Sequence, residues 1–313
     1  MVTRNHHHLS QCYLKGFSNG GSKKSRITVI DLKQKKIFET IPRNIGAIRD
    51  FNLIEIKGVD PNIIENDYAR FESKVAPALR NVEESLLFEG ENRNLILNFI
   101  ALLAMRSPEN REMWRGFYEK TSECIMELSL ATKERWDSSI KQMKEKGQKI
   151  DGSIDYEKMK EFFEKKEYRI EVPRERHIIM EQTGIATILP LLAARDWFLL
   201  KSTKESGPFV TSDHPVVLDW KEPEKIPPFY RNSPGYGLKE TRLYFPISQK
   251  IALVGEFEGR SGVGETPKNL VSVLNSILIA HSYKQIYSPK IGFYFWSQSG
   301  EIIEGNKILD HLS

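Results

Sequence analysis

Apolar residues recur along this chain with two different periods, and the change from one to the other divides it into stretches. In the first fifty residues the pattern is that of strands. RITVIDL (26–32) and KKIFETI (35–41) carry β-branched and aromatic residues around a short polar break, which predicts a hairpin. Asp50-Phe51-Asn52 closes this stretch.

From Pro61 the period lengthens. Ile64, Tyr68, Phe71, Val75 and Leu79 follow one another at spacings of three and four, which predicts an amphipathic helix. LILNFIALLAM (95–105) predicts a buried helix with Asn92 as its cap, and Pro108 falls where a third helix begins. Residues 132–169 are dominated by lysine and glutamate. They read as an exposed helical hairpin broken at Gly147 to Gly152, or as a protruding arm that grips a partner protein or nucleic acid. RERHIIMEQTGIATILPLLA predicts another buried helix, which Pro190 kinks or ends. Short strands follow at WFLLKS, FVTSDHPVVLDW, RLYFPIS, IALVGEF and IGFYFWS, with a last helix from about Lys268 to His281. The expected class is α+β: an N-terminal hairpin and a C-terminal sheet of short strands, packed with a helical middle.

At 313 residues, 40% hydrophobic and 28% charged, the chain can bury a sizeable core. The net charge of +4 leaves a nucleic-acid partner open without requiring one. Two distant cysteines, Cys12 and Cys124, exclude a zinc ribbon or a disulfide framework and point to a reducing cytoplasm. The longest apolar run is shorter than the roughly 20 residues a membrane span requires, so no membrane role is expected.

Four places carry candidate chemistry. RNHHHLSQ (4–11) places three histidines before an amphipathic run, too few for a purification tag. On a strand His6 and His8 share one face and His7 takes the other, open to a metal, to proton transfer or to plain packing. In TSDHP (211–215) Pro215 holds His214 extended, so Asp213 sits at a strand end, suited to acid–base or metal chemistry or to an Asx-turn. Arg106 closes the apolar helix, where it could cap the last carbonyls or grip a phosphate. Asn275 shares a stripe with Val271 and Leu278, so its amide either fixes a loop or completes a polar site. Glu72-Ser73-Lys74 and Asp219-Trp220-Lys221 are weak matches to nuclease spacings, and no phosphate-binding loop or hydrolase signature is present.

The N-terminal segment and TSDHP together give the chain a family likeness. It resembles the bacterial and fungal family known as domain of unknown function 4238, whose members begin with a pattern like HHYIPQFYLRGF. Residues 6–17 match it, with Ser10 in place of the usual proline, a change expected to loosen the backbone there. Further likenesses are the glutamate-bearing helix around Glu72, Arg106-Ser107-Pro108, Thr211–Pro215, Phe245–Ser248 and the late helical Asn275. The resemblance implies a single domain over 1–313, with 132–169 as an embellishment, and singles out His6 or His7, Glu72, Arg106, Asp213 and Asn275. Polar residues of these types, drawn from separate elements, suit a hydrolytic pocket.

The expectation is therefore an intracellular hydrolase, a metal-dependent nuclease or phosphodiesterase with a role in antiviral defence or as a toxin. Asp213, Glu72 and His6 would hold Mg or Mn, with His7 as general base, Arg106 on the phosphate and Asn275 orienting the substrate. Lys141, Lys144, Lys146 and Lys149 would contact a nucleic-acid backbone. The alternative is a non-catalytic protein that binds a ligand or partner, a sensor or toxin–antitoxin component. The enzyme reading requires His7, Glu72 and Asp213 to line one cleft.

Overall fold

The structure is a computed structural model that describes residues 4–150, 155–166, 168–232, 234–297 and 299–311. The chain separates into two compact units, one from Met1–Pro108 with Ile178–Ser313, the other from Glu109–His177. Both helices and sheets are present, as the mixed apolar periods predict.

In the larger unit the N-terminal strand β1 (Asn5–His7) leads into a short helix α1 (Gln11–Leu14). The predicted hairpin is formed by β2 (Ile27–Asp31) and β3 (Lys36–Thr40), antiparallel with Val29 opposite Phe38. Then β4 (Ala47–Arg49) returns to pair with β1, setting His6 against Ile48. Helix α2 (Ile63–Ser85) follows, and its residues Tyr68, Val75, Ala78, Leu79 and Val82 are buried, close to the predicted stripe. Helix α3 (Gly90–Met105) starts earlier than expected, with Glu89 rather than Asn92 at its N-cap and no side-chain cap bond.

Pro108 opens α4 (Pro108–Leu130), as its missing N–H allows. The smaller unit continues with α5 (Lys133–Glu145) and α6 (Tyr156–Lys165). Thr132 and Asp155 cap these helices by accepting from Arg135 N and Lys158 N. Trp136 and Leu130 are its buried anchors, and Tyr156 donates to the Leu130 carbonyl at 3.0 Å. This unit takes in α4 as well as the charged stretch. Of the break expected at Gly147 to Gly152, residues 151–154 lie outside the described residues. Gly147 turns the chain at φ +77, left-handed backbone that suits glycine after a helix end.

Helix α7 (Arg174–Ala193) runs past Pro190 to Ala193 instead of ending there. The remaining elements are β5 (Asp196–Ser202), β6 (Thr211–Ser212), β7 (Val217–Trp220), β8 (Thr241–Pro246), β9 (Ile251–Glu256), β10 (Gly262–Thr266), α8 (Lys268–Ala280), β11 (Gln285–Ser288), β12 (Tyr294–Trp296) and β13 (Ile302–Glu304). They build a five-stranded sheet in the order β10-β5-β9-β8-β7, parallel only between β10 and β5. A four-stranded sheet, β3-β2-β11-β6, joins the N-terminal hairpin to the C-terminal strands.

The main core packs α2, α3 and α7 against one face of the five-stranded sheet. Tyr13 is fully buried at its centre. Its ring stacks 5.4 Å from that of Phe245, and its hydroxyl lies 2.7 Å from Thr211 Oγ1 and donates to the Pro246 carbonyl. That side chain joins the segment after the histidines to β6 and β8. Among the described residues no helix is long and apolar enough to cross a membrane.

Candidate functional site

Strand alternation arranges the three histidines. His6 and His8 are buried and His7 is half-buried, as a period of two requires. His6 Nδ1 accepts from Asn52 N at 2.8 Å, and the Asn52 amide donates to Glu65 Oε2 at 3.0 Å. The His8 ring lies 6.1 Å from that of Phe51. His7 Nε2 is 3.3 Å from the Arg43 carbonyl. In the tautomer that donates there, Nδ1 carries the lone pair and can accept a proton. Burial pulls His7 below its ordinary value, and the charges of Arg106 and Arg43 act in the same direction. The bond to the Arg43 carbonyl and the charge of Glu65 oppose them.

Ser10 departs from the family's proline, yet its φ of −62 is one that a proline also holds. The expected loosening therefore does not follow. The hydroxyl instead caps α1 by accepting from Cys12 N at 3.2 Å. Burial pushes the neighbouring Cys12 thiol up to about 11, which makes it a poor nucleophile.

Helix α2 supplies Glu65, Tyr68 and Glu72, three and four residues apart and so on one face. Burial raises Glu72 above the ordinary carboxyl range, and Glu65 adds to the effect. The charge of Arg106 and a hydrogen bond from Ser10 pull it back. Arg106 enters just past α3, its backbone N–H still bonded to Leu102 O. Its side chain is 1% exposed. The guanidinium lies 4.2 Å from the Tyr68 ring centre, with Nη2 at 3.4 Å from His8 O and 3.7 Å from Glu72 Oε1. Nε and Nη1 are buried without a hydrogen-bond partner. Arg106 thus reaches the histidine strand rather than capping its own helix, and keeps donors in reserve. Tyr68 also lines a cavity of about 350 Å³ with Ile64, Phe71, Leu102 and Gln182.

The structure therefore gathers the histidine strand, Glu72 and Arg106. Asp213 keeps different company: its oxygens accept from Tyr283 N and Gln285 N at 3.0 Å each. These are bonds to the strand β11 region, not the local Asx-turn. Burial pushes its carboxyl up to about 6, opposed chiefly by those backbone donors. Asn275 is equally committed, accepting from Val210 N and donating to Pro208 O and Tyr294 O. Its amide fixes a loop.

None of the hydrogen bonds made by the Asp213 carboxylate leads to the expected metal ligands His6 and Glu72. Its partners are fixed by the β6–β11 pairing, Ile286 opposite Ser212. Among the described residues no group of three or more His, Cys, Asp or Glu side chains is placed to hold a metal ion. Lys141, Lys144, Lys146 and Lys149 are all exposed in the smaller unit. Sequence reasoning missed Asn52, Glu65 and Tyr68. The one available signal was the polar stripe of Glu65 and Glu72 flanking Tyr68 on a helix otherwise read for its apolar face.

A mixed α+β chain with a buried arginine between a carboxyl-bearing helix and a histidine strand is the class that fold and site define. The chain belongs to the family described as "Protein of unknown function (DUF4238)", whose model matches residues 5–290. No curated protein and no solved structure matches it.

Proposed function

We propose that Arg106, Glu72 and His7 form an anion-handling centre that hydrolyses phosphate esters, making the protein a phosphodiesterase or nuclease. One observation carries this reading: a guanidinium 1% exposed, held by a ring face and two long polar contacts, with Nε and Nη1 unclaimed. A buried cation with two uncommitted donors fits an anion such as a phosphate, whose oxygens can accept from each donor singly.

In this scheme Arg106 holds the phosphate and stabilises the charge that develops on it. Glu72, raised toward protonation, donates a proton to the leaving oxygen. His7, lowered toward neutrality, removes a proton from the attacking water. The free thiols of Cys12 and Cys124 suit a cytoplasmic setting. A divalent ion enters as a variable of the assay, because it can activate water beside Glu72. The exposed lysines of the smaller unit support nucleic acid as substrate.

Purified protein is incubated with RNA, DNA and cyclic nucleotides, each with Mg, with Mn and with chelator. Cleavage lost in R106K and slowed in E72Q supports the reading, and an R106K variant as active as the parent overturns it. The deep burial of Arg106 also favours a second reading, a regulatory protein that binds a small anion without turning it over. Phosphate would then raise the melting temperature of the parent but not of R106K, with no substrate cleaved.

A further inference from the structure

The smaller unit carries an apolar face for which the phosphate-ester reading has no use. On α4, Met113, Trp114, Phe117, Cys124, Ile125 and Leu128 are all exposed, with Phe117 at 56% and Leu128 at 58%. At 100° per residue they fall in one stripe, and the rise of the helix makes it about 22 Å long. A continuous apolar stripe of this kind on a surface helix marks an interaction site.

The charged edge of the stripe identifies the occupant. Lys120 and Glu127 are both exposed and stand two turns apart on the same side of it. Neither has an ion-pair partner among the described residues. When two copies of one helix pair antiparallel, residues on the same edge face each other across the two-fold axis. Lys120 of each copy then meets Glu127 of the other. The same register lays Phe117 against the partner's Leu128 region, and brings the small side chains of Thr121 and Cys124 to the axis, where helices approach most closely. Apolar stripe, edge charges and small central residues agree on one arrangement.

We infer that α4 is the self-association surface of this protein, pairing with α4 of a second copy in an antiparallel, two-fold arrangement. Phe117, Ile125 and Leu128 form its apolar seam, and Lys120 with Glu127 sets its direction. The proposal is independent of the hydrolytic centre, which lies in the other unit.

Sedimentation equilibrium of the full chain at tens of micromolar tests it. The expected mass is that of two chains, falling to one in F117E/L128E with the helical circular dichroism unchanged. K120E sets like charges against each other and weakens the dimer. K120E/E127K exchanges the charges and restores it. A short bismaleimide joins two parent chains through Cys124, and C124S abolishes the product. A chain that stays monomeric, or a dimer unaffected by F117E/L128E, overturns the proposal. A dimer that K120E weakens and K120E/E127K fails to restore overturns the antiparallel register.

Discussion

The guanidinium of Arg106 lies over the Tyr68 ring at 4.2 Å while its nearest carboxylate oxygen, on Glu72, stays 3.7 Å away. A ring face neutralises no charge, and a contact of that length is no hydrogen bond. Among the described residues Glu72 is therefore the carboxyl group that approaches the buried cation, and its ionised form and the cation depend on each other. Removing one partner leaves the other buried and uncompensated, whereas removing both leaves neither. Arg106→Met is expected to cost about 3 kcal/mol of stability. The double variant R106M/E72M should recover most of that loss and have no activity. Urea denaturation of parent, single and double variants checks it.

The opposite displacements of His7 and Glu72 fix a pH window for activity. His7 acts as base when neutral, so the acid limb lies below its ordinary 6.5. Glu72 acts as acid when protonated, so the alkaline limb lies above its ordinary 4.5. A bell-shaped profile with these two limbs is expected. E72Q should lower the rate and remove the alkaline limb, which pH–rate profiles of kcat/KM would reveal.

The apolar periods of α2 and α3 were legible because burial on one face leaves its mark every three or four residues. The hairpin of β2 and β3 was legible for the corresponding reason at period two. The alternation of His6, His7 and His8 could also be read from strand geometry. What each meets could not, because Asn52, Glu65 and Arg106 arrive from elements whose approach is set by tertiary packing. Pro190 shows which of two expected outcomes tertiary context selects: α7 does not end there but continues through it within its final turn. Asp213 shows the largest gap between sequence and structure. Its letters fit an exposed turn, but strand pairing seventy residues away supplies its two donors. A single sequence does not encode that register locally.

Asn275 is expected to act on stability alone. Its amide makes three hydrogen bonds to backbone groups of Pro208, Val210 and Tyr294 while fully buried. Asn275→Leu leaves those groups unsatisfied and should cost about 3 kcal/mol. Once the folded fraction is measured by circular dichroism, its activity per folded molecule should equal that of the parent. A large fall in kcat at full folding would instead place Asn275 in the chemistry.

Asp213 provides a prediction whose sign follows from its burial. The carboxyl is pushed from an ordinary 3.8 up to about 6, so the folded state holds its proton more tightly than the unfolded chain does. Stability from this group is thus fully present below pH 3.8 and is lost as pH rises through about 6. The full effect is about 3 kcal/mol. Asp213→Asn cannot ionise, and its amide offers one acceptor oxygen where the carboxylate offers two to Tyr283 N and Gln285 N. The variant should be about 1 kcal/mol less stable than the protonated parent. It should also lack the parent's decline between pH 4 and 6. Urea midpoints measured across that range separate the two effects. A parent that gains stability over the same interval would show that the two backbone donors outweigh burial and hold Asp213 ionised.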